Sequence, residues 1–291
     1  MVGLISSLPY PFELRFMERA LIAGVAVGVF APMIGTFLVQ KKMSLIGDGI
    51  GHVAFAGVGA GVVASGGALS SVWPLWTALL FAVGGALGVE WLRSRRKASG
   101  DLALALFFYS GIALGVVLVS LGGGLNASLL IYLFGQPLTV NGGELALILA
   151  LGVVIVAAML VLRRALFAVV TDEDWARVSG LPVSLVNNVL AVLTATAVVA
   201  AMRIVGILLI AAMMVLPVAS GQQLARSFRS TLWWSVGVSV GSIVLGLSAS
   251  RIWGLAPGGT IVLIAAGVFA VVATVRRGVP TGLPVTEGAD V

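Results

Sequence analysis

Long apolar runs separated by short clusters of charge set the rhythm of this chain. A run of about 20 apolar residues lets a helix cross a hydrocarbon core of roughly 30 Å. By that measure the sequence predicts spans at 20–40, 44–66, 68–92, 101–122, 143–162, 183–203 and 205–225, followed by either 231–250 or 258–275. Both of the last two runs are long enough, so the count is eight or nine. The stretch 126–140 is apolar but short and contains Gly135 and Pro137, which fits a re-entrant or interfacial segment better than a crossing. Residues 1–19 mix Glu13, Arg15, Glu18 and Arg19 with Phe12 and Phe16, the pattern of an interfacial helix or of the start of the first span. The predicted organisation is an N-terminal interfacial segment 1–19, an all-α polytopic transmembrane bundle 20–277 with a cytoplasmic coupling loop 163–182, and a tail 278–291 expected to lack fixed structure.

Composition agrees with the pattern. Of 291 residues 60% are hydrophobic, 38 are glycine and only 10% are charged, with a mean hydropathy of +1.15. A soluble domain is nearer half apolar and a quarter charged, so this chain lacks the polar surface to cover itself in water. Cysteine is absent, which excludes disulfides, thiolate zinc sites and iron–sulfur clusters. The net charge of +6 is no sign of nucleic-acid binding, because the basic residues sit in short clusters between apolar runs. No cationic segment followed by a small-residue cleavage site opens the chain, so no removable signal peptide is expected. Lys41, Lys42 and Lys97 are the only lysines and none precedes Ser or Thr, so there is no P-loop. With nine spans and the N-terminus outside, all 17 basic residues but Arg15, Arg19, Arg203 and Arg251 lie on the cytoplasmic side. The opposite orientation would invert that ratio and break the positive-inside rule.

Glycines four apart recur within the spans, at Gly24/Gly28, Gly84/Gly88, Gly111/Gly115 and Gly237/Gly241. Small residues let helix backbones approach closely in lipid, which serves packing within one bundle and, on an outer face, dimerisation. Among the acidic residues, Asp48 alone falls well within a predicted span, and the single histidine, His52, follows four residues later. On a helix the two share a face. Counted from Lys42 at the cytoplasmic boundary, Asp48 lies about 9 Å and His52 about 15 Å into the membrane at 1.5 Å per residue. An ionisable pair at such depth is costly unless hydrated, paired or bound to a cation. A carboxylate with an imidazole suits a borderline divalent cation such as zinc, and manganese less well. Two ligands fall short of the usual four; a two-fold dimer with this face on its axis would supply them. The same pair read structurally is a hydrogen bond locking two helices.

Two further features stand out. Pro217 lacks an N–H, so the carbonyl of Met213 loses its helical partner and is free for water, a neighbouring helix or a passing cation; the kink at Met213 and Pro217 is a candidate lining of the pathway, with packing as the simpler role. In the polar stretch 163–182, Asp172, Glu173 and Asp174 favour the start of a short helix carrying Trp175 and Val178, before Gly180 stops it. An exposed Trp there suits partner docking or the membrane surface.

At these residues the chain resembles a known family. Met43-Ser44-Leu45-Ile46-Gly47-Asp48-Gly49-Ile50-Gly51-His52 resembles the MS-x-x-GD-x-x-x-H signature of permease subunits in metal-specific ABC importers of the zinc/manganese uptake class. Tyr132-Leu133-Phe134-Gly135 looks like that family's YLFG element, and Asp174 through Gly180 like its cytoplasmic loop. Arg203-Ile204-Val205-Gly206, with Leu216-Pro217-Val218-Ala219 after it, is similar to the basic-x-VG…LP-x-A segment, and Pro257-Gly258 to a late turn. The motifs keep order and spacing from about residue 17 to 277.

The resemblance implies a bacterial inner-membrane permease with a type II ABC importer-like fold, working as a homodimer. Two copies of a separate ATPase would dock on Asp172, Glu173, Asp174, Trp175, Ala176 and Gly180. An extracytoplasmic metal-binding protein would deliver zinc, or manganese, to a pathway containing Asp48 and His52. The ion would be cargo, with no permanent cofactor, and the chain itself no enzyme. From the residues without the resemblance, a secondary transporter using Asp48 as a coupling group, needing no ATPase, and a non-transporting scaffold both stay open.

Overall fold

Inside lipid a backbone amide or carbonyl finds no water, so each spanning segment must close its hydrogen bonds within itself. The apolar runs accordingly fold as helices. The computed structural model describes residues 14–66, 73–95, 100–123, 127–137 and 140–277. Among them the order is α1 (Arg15–Gln40), α2 (Ile46–Ala64), α3 (Trp73–Ser94), α4 (Gly100–Leu121), α5 (Ala127–Phe134), α6 (Gly142–Thr171), α7 (Glu173–Val178), α8 (Val183–Ala201), α9 (Ile207–Leu224), α10 (Phe228–Trp253) and α11 (Pro257–Arg277). Nine of these are long and apolar enough to cross a membrane, so both of the last two predicted runs are helices. α5, at 8 residues, is too short to cross. The tail 278–291 and most of 1–19 lie outside the described residues; from Arg15 onward the predicted interfacial segment is simply the first turns of α1.

The predicted loop 163–182 is mostly helix. α6 runs 30 residues to Thr171, because Arg163 and Arg164 are good helix formers and Leu166 and Val169 continue the buried stripe begun by Ile148, Gly152, Ile155 and Met159. Only at Asp172, extended at φ −153°, does it stop. The Asp172 carboxylate then accepts from the Trp175 N–H at 2.9 Å and starts α7.

α2 lies at the heart of the bundle, packed on α3, α4, α8 and α9. Glycine makes those approaches close. A methyl group at Gly57 would lie 2.6 Å from the Thr77 carbonyl oxygen of α3, one at Gly49 2.5 Å from Leu104 of α4, and one at Gly51 3.1 Å from Ile207 of α9. Of the predicted glycine pairs, Gly24/Gly28 pack on Val240 and Ile243 of α10 and Gly111/Gly115 on α2, whereas Gly237 and Gly241 meet nothing within 4 Å.

Candidate functional site

The sequence after α1 turns sharply before re-entering the bundle. Lys41 caps α1, Lys42 takes a left-handed φ of 58°, and α2 begins only at Ile46. Asp48 therefore sits in the first turn of its helix, where unpaired N–H groups and the helix dipole favour a carboxylate. The turn takes up residues that the earlier depth count treated as helix: Asp48 lies about 3 Å and His52 about 9 Å along the axis of α2 from its start.

The two side chains meet as the i,i+4 spacing requires. His52 Nε2 lies 3.8 Å from Asp48 Oδ1, with the side chains 12% and 29% exposed. That separation is too long for a hydrogen bond. At the tetrahedral angle, metal bonds of about 2.0–2.2 Å to nitrogen and oxygen would put two such ligand atoms roughly 3.3–3.6 Å apart, slightly closer than these stand. The wall behind them is α4, whose Phe108 ring stands 4.6 Å from the His52 ring, edge to face, with Tyr109 beside it. Gly111 permits this approach, since a methyl group there would come within 2.9 Å of the Val53 nitrogen. Among the described residues no group of three or more acidic or imidazole side chains gathers around one point. One chain thus offers an N,O pair, partly open.

Met213 and Pro217 lie on α9, both buried, next to the face where Gly47 of α2 meets Met214 and Ala211. At the cytoplasmic end, α7 presents Trp175 and Val178 outward, 62% and 89% exposed, while Ala176 is fully buried. Arg93 joins this helix to α3: it pairs through two nitrogens with Glu90, at 2.8 and 3.0 Å, and reaches Glu173 at 3.3 Å. With Asp174, Arg177 and Asn187 these groups line a polar cavity of about 290 Å³. Lys41 donates to the Asn187 side chain at 2.5 Å. Burial, helped by the charge of Arg93 and opposed by Glu90 and Glu173, lowers its pKa from 10.5 to about 8.

Sequence reasoning missed this network because its partners are 80 and 146 residues apart; the i,i+3 spacing of Glu90 and Arg93 and the i,i+4 spacing of Glu173 and Arg177 were the local signals. It also missed the outer end. There Arg203 pairs with Glu144 at 2.6 Å, lies 5.1 Å from the Tyr132 ring, and its carbonyl accepts from the Gln136 N–H at 3.0 Å. Gly135 and Gly206, at φ +72° and +92°, bring two backbones together. A methyl group at Gly135 would lie 2.5 Å from the Ile204 oxygen, one at Gly206 2.4 Å from the Leu133 oxygen, and one at Gly258 2.6 Å from the Phe134 and Val205 oxygens. Three of the five motifs thus meet at one junction.

Among the described residues, nine helices able to span a membrane, one of them the glycine-packed α2 with its ionisable pair, define a multi-pass membrane protein. The profile of the ABC 3 transport family matches residues 13–276, and the chain belongs to that family. The high-affinity zinc uptake system membrane protein ZnuB of Haemophilus influenzae is 30% identical over 259 residues, 89% of this chain and 96% of that protein. The manganese transport system membrane protein MntC of Halalkalibacterium halodurans is 29% identical over 255 residues, 88% of this chain and 85% of that one. Among solved structures, PsaBC from Streptococcus pneumoniae in complex with Fab superposes with a TM-score of 0.78 at 28% identity, covering 89% of this chain and 91% of that one. The chain is therefore the inner-membrane permease subunit of an ATP-binding-cassette importer and not an enzyme. Its ATPase and substrate-binding functions reside on partner chains.

Proposed function

We propose that this permease imports a divalent transition metal ion, zinc first and manganese second, and that Asp48 and His52 are the pair the ion meets on its way. The supporting observation is the 3.8 Å gap between a carboxylate oxygen and an imidazole nitrogen on one helix face, partly open to solvent. Both groups must be deprotonated to bind, so protons compete with the ion and uptake weakens in acid. Two ligands from one chain suit a transit site, which must release what it binds, and a second permease copy would complete the shell in a homodimer. The binding protein delivers at the outer end. Two ATPase subunits dock on α7 and its flanks at the exposed Asp172, Asp174, Trp175 and Gly180 and the partly exposed Glu173, while Ala176 faces inward and holds the helix in place; their closure rocks the dimer to release the ion inward.

The test is uptake of radiolabelled Zn²⁺ and Mn²⁺ in cells lacking their own importer, with and without the cognate ATPase. His52→Ala and Asp48→Asn at matched membrane abundance are expected to lower uptake by at least the roughly 10–100-fold that loss of an outer-shell partner costs a metal site. The preferred isotope names the cargo. Uptake that ignores both substitutions would remove Asp48 and His52 from the pathway.

A further inference from the structure

α1, α6 and α10 leave a groove between them that opens sideways. Its lower part, about 350 Å³, is floored by Phe37, Phe167 and Phe228 and rimmed by Arg163, Arg164 and Arg229. The three aromatic rings interlock edge to face, Phe228 lying 5.1 Å from Phe37 and 5.0 Å from Phe167, so the floor is fixed. Its upper part, about 390 Å³, is an almost wholly apolar trough along α6 and α1, deepened where Gly152 faces Phe30. Leu160 lines both parts, so they adjoin along α6.

The dimensions and charges match one kind of occupant. From Gly152 to Arg163 the trough runs about 16 Å along the helix, close to the roughly 15 Å that one leaflet contributes to the hydrocarbon core. From Gly142 to Arg163 is about 32 Å, which puts the arginines at the inner edge of a core of about 30 Å. All three arginines are exposed, and none forms an ion pair with another described residue. Three guanidinium groups without a counter-charge, at headgroup depth, above an apolar slot one leaflet long, call for a phosphate with an acyl chain attached. We infer that this groove is a binding site for an anionic phospholipid of the cytoplasmic leaflet, its headgroup on Arg163, Arg164 and Arg229 and one acyl chain in the trough between α1 and α6.

The experiment is native mass spectrometry of the permease with its ATPase, released from nanodiscs of equimolar phosphatidylglycerol and phosphatidylcholine. Wild type is expected to retain phosphatidylglycerol at least about tenfold over phosphatidylcholine. The triple substitution Arg163→Gln, Arg164→Gln, Arg229→Gln loses that preference, and the triple substitution to Lys keeps most of it, which separates charge from misfolding. Equal retention of both lipids by wild type overturns the site. Undiminished preference in the Gln variant overturns it too, as does displacement of the lipid by millimolar inorganic phosphate alone, which would make the groove an anion site without a tail. Cross-linking of Trp233→Cys between two permease copies would make it a subunit interface instead.

Discussion

α2 has 19 residues with glycines facing α3, α4 and α9, and each of those neighbours lies against backbone. α6 has 30 residues, one buried stripe, and Val153, Leu160 and Val161 turned outward. The contrast shows two ways of placing a functional group in lipid. Asp48 and His52 are held because the helix beneath them has no room to shift, since interiors packed at this density resist even a methyl group. Arg163, Arg164 and the docking helix α7 are held at a distance set by helix length, where neighbours matter less. Position by contact and position by reach respond to mutation differently.

The largest effect is expected where contact is closest. Gly57→Ala drives a methyl group to 2.6 Å from the Thr77 oxygen and 2.7 Å from the Ala78 Cα, backbone that cannot rotate away, and should cost about 3 kcal/mol or more. Gly237→Ala, which meets nothing within 4 Å, should stay within about 0.5 kcal/mol. Thermal unfolding in detergent reads both, and equal midpoints would dissolve the comparison.

A smaller effect is expected at the hinge between the two regimes. Arg93→Gln leaves Glu90, 4% exposed, without its ion pair and should cost about 1–3 kcal/mol. Glu173→Gln removes only the partly exposed link from Arg93 to α7 and should cost at most about 1 kcal/mol. Hydrogen exchange should speed up in α7 for both variants and in α3 only for Arg93→Gln. Uniform protection in α7 would mean that reach alone holds the docking helix.

The smallest effect is electrostatic. With its pKa lowered to about 8 by burial, Lys41 is charged at a cost in the folded state below that pH. Between about pH 8 and 10.5 the folded protein sheds this proton while the unfolded chain keeps it, so stability rises with pH over that window. Lys41→Met should flatten that part of the profile relative to wild type, and a profile that moves with wild type would place the charge in water.

The regime also decided what could be read in advance. Apolar runs report lipid exposure directly, so all nine crossings were visible as runs, and Asp48 and His52 stood out as a spaced pair in one of them. Where the chain leaves the membrane that signal ends: a helix continuing past Arg163 looks the same as a loop, because two arginines are compatible with either. The turn at 41–45 was hidden for a similar reason, since a tight turn and a helical turn use the same residues. Groups joined across the fold, such as Glu144 with Arg203 or Glu173 with Arg93, leave no periodic trace at all.

The glycine junction at the outer end has a bearing on how the protein is made. Gly135, Gly206 and Gly258 close on one another, yet they emerge from the ribosome in turn and the last belongs to α11. Helices α1 to α10 can insert and pack while this corner of the bundle is still incomplete. The junction closes only once α11 packs, so a chain halted before residue 257 lacks the Gly258 contacts with the Phe134 and Val205 carbonyls.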